Sequence, residues 1–213
     1  WKTSCGCAKC RPALNYYLLC DWPEDYEDDS QSRYINERVH ANIQRNGTYS
    51  VVPRMWGGLT NAKELRAIAD VADKYEIPTV KVTGGQRIDL LGVKKEDLPA
   101  VWAELNKAGM VSGHAYAKGL RTVKTCVGTD WCRFGTQDST GLGVKIEKFM
   151  WGSWTPHKVK MAVSGCPRNC AESTCKDIGV ICTDAGYDIL FAGAAGLHLR
   201  ETELLCKVTT EEE

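Results

Sequence analysis

The sequence predicts an α+β protein, with strands and helices drawn from separate short runs. Three observations carry this. Thr79-Val80-Lys81-Val82-Thr83 alternates apolar and polar residues, the two-residue period of a strand. Leu65, Ile68, Ala69 and Ala72 recur at helical spacing. Glycine and proline punctuate these runs too often for one long element. The apolar share is 43%, enough for a buried core. Lys+Arg and Asp+Glu are both 27, so the net charge is zero and nothing global points to nucleic acid or an anionic membrane surface. No apolar run approaches the ~18 residues of a membrane span. The start, Trp1-Lys2-Thr3, has neither Met nor a signal-peptide pattern. The expectation is a piece of a longer cytoplasmic protein.

Residues 1–20 hold Cys5, Cys7 and Cys10, then a helix-like run from Pro12 to Cys20. Residues 21–46 are acidic without a clear period, which suits a linker or arm. Residues 47–112 read as a compact unit. Thr48 to Pro53 is β-rich, and Gly57-Gly58 ends it. Asn61 with Glu64 marks a helix start related to a capping box. The strand Thr79–Thr83 stops at Gly84-Gly85, and Ile88 to Leu91 reads as a third strand. Leu98, Val101, Trp102 and Leu105 predict a second helix, with Pro99 in its first turn and Gly109 past its end. The order β-α-β-β-α suits a ferredoxin-like half-domain. In residues 113–213, Lys158 to Val163 and Ile178 to Thr183 read as strands, with Tyr187 to Ala192 pairing with the second.

Eleven cysteines are the compositional anomaly. An odd, tightly grouped set in a long chain favours metal or iron-sulfur ligation over disulfides. Cys126-Val-Gly-Thr-Asp-Trp-Cys132 and Cys166-Pro-Arg-Asn-Cys170 supply four thiols, one for each iron of a cubane. Gly128 lets the first loop turn back. Pro167 suits a helix start, whose N–H groups could face cluster sulfurs. Zinc pairs usually have shorter spacings, so the first pair fits zinc poorly.

These two spacings resemble the signature of sirohaem-dependent nitrite and sulfite reductases. So do Leu120-Arg121-Thr122-Val123, Ser164-Gly165-Cys166-Pro167-Arg168-Asn169-Cys170-Ala171-Glu172 and Val80-Lys81-Val82-Thr83-Gly84-Gly85-Gln86-Arg87. Over about residues 1–208 the wording is most similar to the large subunit of NAD(P)H-dependent assimilatory-type nitrite reductases. The resemblance implies a ferredoxin-like half-domain followed by a C-terminally truncated [4Fe-4S]/sirohaem α+β domain. It also implies six-electron reduction of nitrite to ammonia. Cys126, Cys132, Cys166 and Cys170 would hold the cluster, and Cys170 would bridge it to the sirohaem iron. Cys175, Cys182 and Cys206 fall outside the motif and read as small buried hydrophobes.

Arg54, Arg121, Lys158 and Lys160 match the positions where this family binds its anion, and Lys158 and Lys160 share one strand face. Gln86 and Arg87 would contact sirohaem carboxylates, for which the Arg fork is suited. Lys160 stands where ferredoxin-dependent nitrite reductases often carry Asn, a feature closer to sulfite reductase. One repeat carrying both basic residues and cysteines suggests a homodimer, the basic set of one chain facing the sirohaem of the other. Cys7-Ala-Lys-Cys10 resembles the second half of a [2Fe-2S] domain of the bacterioferritin-associated ferredoxin type and, lacking the first cysteine pair, is expected to hold no cluster. The family adds FAD, NAD(P)H and [2Fe-2S] modules and a small Rieske-like subunit. His114, His157 and His198 read as surface or satisfied histidines. Sulfite reduction and a haem-free Fe-S electron-transfer module remain as alternatives.

Overall fold

The structure is a computed structural model that describes residues 11–27, 41–115, 118–151, 155 and 157–212. The expectations for Cys5, Cys7 and Cys10, and for the arm between residues 28 and 40, lie outside the described residues. Helix α1 (Arg11–Asp21) covers the helix-like run.

Strands β1 (Asn42–Ile43), β2 (Tyr49–Val51), β3 (Thr79–Val82) and β4 (Ile88–Val93) form an antiparallel sheet in the order β1-β2-β4-β3. β1 lies in the segment expected to be a linker. It pairs with β2 through a turn closed by Gly47, whose φ is +82°. Helices α2 (Ala62–Lys74) and α3 (Leu98–Lys107) cover the sheet. Asn61 caps α2 by accepting from the Lys63 and Glu64 amides. Its buried face is Ile68 and Val71; Leu65 is exposed, against the sequence expectation. Only a narrow strip of α2 is buried, and Leu65 lies at its edge, exposed to solvent. Val51, Leu90, Val93, Val101 and Leu105 are the centre of this first core.

The second sheet holds β5 (Leu120–Thr125), β6 (Val159–Ser164), β7 (Ile178–Thr183), β8 (Gly186–Phe191) and β11 (Glu203–Val208), in the order β11-β8-β7-β6-β5. β5, β6 and β7 run parallel, while β8 and β11 are antiparallel additions. A short hairpin, β9 (Ala194–Ala195) and β10 (Leu199–Arg200), lies beyond β8. The helical turn α4 (Gly128–Trp131) follows β5, and helix α5 (Ser139–Met150) connects back to β6. One sheet face packs Val123, Met161, Val163 and Val180 against Leu142 of α5. Gly143 permits that approach, since its ideal Cβ would fall against Thr125 and Val123 of β5.

Candidate site at the strand ends and the basic cavity

In parallel sheets, loops at the carboxyl ends of strands gather ligands. The cysteine pairs sit there. Cys126 follows β5, and Cys166 follows β6 after Ser164-Gly165. The two loops are fastened to each other. The Gly165 amide donates to Cys126 Sγ (3.0 Å), and the Thr136 amide donates to the Gly165 carbonyl (2.7 Å). The Arg168 guanidinium lies 3.9 Å from the Phe134 ring centre, joining the loop of Cys166 to that of Cys132. Cys166 is buried, Cys126 and Cys132 are half-buried and Cys170 is exposed; all four are free thiols.

No helix starts at Pro167. Residues 166–172 form turns instead, with Asn169 (φ +58°) and Glu172 (φ +62°) left-handed. The reason is local competition. The Asn169 carboxamide oxygen accepts from the Ser173 amide (2.6 Å) and from Ser164 Oγ (3.2 Å). Ser173 is buried, with its hydroxyl 2.9 Å from Ser164 Oγ and 3.0 Å from the Val180 carbonyl that accepts from it. Asn and Ser hold backbone groups that a helix would otherwise use. The loop of Cys166 and Cys170 is thereby anchored to β6 and β7.

Among the described residues, no three His, Cys, Asp or Glu side chains stand close enough to hold one metal ion. A tetrahedral zinc needs its thiolates ~2.3 Å from a single centre, whereas a cubane takes one thiolate per iron and spaces them wider. The four free thiols and the side-chain-free cradle at Gly165, where a Cβ would lie 3.1 Å from Cys126 Sγ, fit such a cluster. Of the other cysteines, Cys182 is fully buried as expected, and burial pushes its thiol up to about 12. Cys175 is half-buried and Cys206 is exposed on the edge strand β11, so neither is a core residue.

A second feature occupies the sheet face opposite α5. A cavity of about 340 Å³ is lined by Arg87, Arg121, Lys124, Lys158, Lys160 and Lys176. Asp89, also on its wall, is bound by Ser50 Oγ (2.6 Å). The sequence pointed to Arg121, Lys158, Lys160 and Arg87. It missed Lys124 and Lys176, whose ammonium groups meet on Glu172 Oε2 at 2.9 and 3.0 Å. Those two bonds hold the Glu172 carboxyl below its ordinary range. Lys124 lies two residues from Thr122 on the same strand face, the signal that could have found it.

Two expected site residues make other contacts in the structure. Arg54 is buried and ion-paired with the buried carboxylate of Glu147 on α5. Glu147 also accepts from the Gly57 amide (2.6 Å), and Arg54 donates to the Arg121 carbonyl (3.2 Å). Burial pulls the Arg54 guanidinium down and pushes the Glu147 carboxyl up, with their mutual attraction opposing both shifts. Arg54 does not line the cavity, because packing of residues 54–57 on α5 draws it inward. Gln86 spends its amide on the Thr125 backbone, donating to the carbonyl (2.7 Å) and accepting from the N–H (2.9 Å). Arg87 donates to the Arg121 carbonyl (2.9 Å) while also lining the cavity. His114 stacks on Trp151, with ring centres 5.2 Å apart.

Residues 116–213 match the family model described as nitrite and sulphite reductase 4Fe-4S domain, and residues 42–108 match the nitrite/sulfite reductase ferredoxin-like half domain. The chain is 66% identical to a nitrite reductase [NAD(P)H] of Bacillus subtilis, over the whole of this chain but only 26% of that protein. It is 40% identical to an assimilatory-type sulfite reductase of Nitratidesulfovibrio vulgaris, over 84% of this chain and 81% of that one. The solved structure of Mycobacterium tuberculosis NirA protein superposes with a TM-score of 0.70 at 16% identity, covering 93% of this chain and 41% of that one.

Proposed function

This chain belongs to the nitrite and sulphite reductase family, and on that premise we propose that it is the part of a nitrite reductase where nitrite is reduced to ammonia. The observation that carries the reading is the meeting of two cysteine loops through Gly165 and Cys126, in a sheet that also carries a cavity walled by six cations. Two units divide the work: a half-domain that begins with β1 at residue 42 rather than at 47, and the cysteine-bearing unit from about residue 113 onward.

Cys126, Cys132, Cys166 and Cys170 would hold a [4Fe-4S] cluster. Cys170, exposed at its loop, would also be available to hold sirohaem. Sirohaem and the cluster, when bound, supply the six-electron chemistry. The protein's own side chains do the rest. Arg121, Lys158 and Lys160 bind the oxyanion through charge-assisted hydrogen bonds. The lysine ammonium groups hold protons where product oxygen must leave as water. Arg87, Lys124 and Lys176 complement carboxylates of the macrocycle.

Arg121 and Lys160 stand near the starts of β5 and β6, while Cys126 and Cys166 follow their ends. At ~3.3 Å per residue that is roughly 17–20 Å along the strands. A single small anion cannot touch both ends in one chain. This favours a homodimer in which the basic set of one copy faces the cysteine loops of the other. A small Rieske-like subunit and upstream FAD, NAD(P)H and [2Fe-2S] modules would feed electrons in a longer protein.

The test is the spectrum and the iron and acid-labile sulfide content of the intact protein purified without oxygen, followed by nitrite and sulfite turnover. Sirohaem bands, cluster iron and faster nitrite turnover are expected. Cluster iron without haem would replace the reading with an electron-transfer module. Faster sulfite turnover, in line with Lys160, would transfer it to sulfite reduction.

A further inference from the structure

We propose that Ser139 sets the reduction potential of the iron-sulfur cluster by donating a hydrogen bond to the Cys126 sulfur. This rests on the reading of Cys126 as a cluster ligand. Ser139 is fully buried, and its Oγ lies 3.2 Å from Cys126 Sγ. Between a hydroxyl and a free thiol either atom could donate. A cluster-bound thiolate has no proton, so the hydroxyl must be the donor.

The Ser139 hydroxyl has one proton and a second acceptor in reach, the Cys126 carbonyl at 3.2 Å. Thr140 decides between them. Its Oγ1 donates to that same carbonyl at 2.9 Å, which fills one of the oxygen's two acceptor positions and weakens its pull on the Ser139 proton, so that a thiolate sulfur competes better for it. The hydroxyl is not consumed by helix capping. Asp138 caps α5 by accepting from the Gly141 amide at 2.8 Å.

The surroundings fix this geometry. A Cβ at Gly165 would lie 3.0 Å from Ser139 Oγ and 3.1 Å from Cys126 Sγ. One at Gly128, whose φ is +67°, would lie 3.2 Å from Ser139 Oγ. With the Gly165 amide, the sulfur therefore has two donors packed around it. Reduction adds one electron to the cluster, and part of that charge falls on the cysteine sulfurs. A hydrogen bond to a more negative acceptor is stronger, so Ser139 stabilises the reduced state and raises the potential.

The experiment is a redox titration of the intact protein, followed by electron paramagnetic resonance of the reduced cluster, for the parent, Ser139→Ala and Thr140→Val. Ser139→Ala is expected to lower the potential with iron and sulfide content unchanged. The expected size is on the order of a tenfold loss in the reduction equilibrium, about 59 mV for one electron. Thr140→Val is expected to shift it the same way by less, because the Ser139 proton is then shared with the carbonyl. A fully loaded Ser139→Ala protein at the parent potential would overturn the proposal. If Ser139→Ala loses its cluster, the Thr140→Val potential decides, and no shift there overturns it. A parent protein without a cubane removes the cluster reading itself, a failure visible in iron content before any potential is measured.

Discussion

Glu147 and Arg54 show how a single buried pair can join two units. Glu147 is on α5 of the second sheet, and Arg54 follows β2 of the first. Removing one partner leaves the other charge buried, a change that costs about 3–5 kcal/mol. Glu147→Leu should therefore lower the unfolding free energy from urea titration by that order, while Arg54→Met with Glu147→Leu should recover much of the loss. Equal losses in single and double variants would show that packing, not charge, matters there. Glu172 is the opposite case, half exposed and held by two lysines. Its folded pKa is depressed, so its bonds are complete above the ordinary carboxylate range. They are lost as pH falls through the lowered value. Carbon-13 NMR of the Glu172 carboxyl should find that depression, and Lys176→Met should bring it back toward the ordinary value.

The element that places two of the four thiols is the loop 166–172, and its shape comes from Asn169. That residue is left-handed and makes three side-chain hydrogen bonds, to Ser164, Ser173 and Thr174. Asn tolerates this conformation better than other non-glycine residues. Asn169→Ala removes the bonds and strains the turn. The expected results are a lower iron-to-protein ratio and a stability loss of about 2–4 kcal/mol by denaturant titration, at ~1 kcal/mol per bond. Helix α5 is the second such element. Gly143 lets it close on β5, so Gly143→Val should cost about 1–3 kcal/mol through overpacking. Full stability in that variant would mean that α5 can shift outward freely.

Across the whole molecule, the half-domain grips β5 just before Cys126. Gln86 pairs with the Thr125 backbone, and Arg87 and Arg54 both donate to the Arg121 carbonyl. Gln86→Ala should raise hydrogen exchange at the Thr125 amide while leaving protection of Leu90 and Val101, deep in the first core, unchanged. Uniform loss of protection would instead show that the two cores unfold as one. Among the described residues, no helix is long and apolar enough to cross a membrane.

By itself the sequence determined most elements of the first unit, three strands of the second and the thiol set, but not β1, α5 or β11. Asn61, Pro99 and Gly109 bound helices through capping and φ preferences that act within a few residues. The alternation of residues 79–83 and the β-rich run 178–183 marked strands for the same local reason. Cysteine spacing is likewise local, so the two pairs were legible without coordinates. The shared cavity was legible only in part, through Arg87, Arg121, Lys158 and Lys160. Lys124 could have been found from its place on β5, but Lys176 is distant from those four and unmarked by any motif, and only the pairing of β5, β6 and β7 brings it to the cavity. The tertiary structure alone decided that Arg54 faces Glu147, that Gln86 binds backbone and that Ser139 reaches the Cys126 sulfur. Each is a contact between residues far apart in the chain, and its partner is chosen by how sheet and helix pack, which no local pattern encodes.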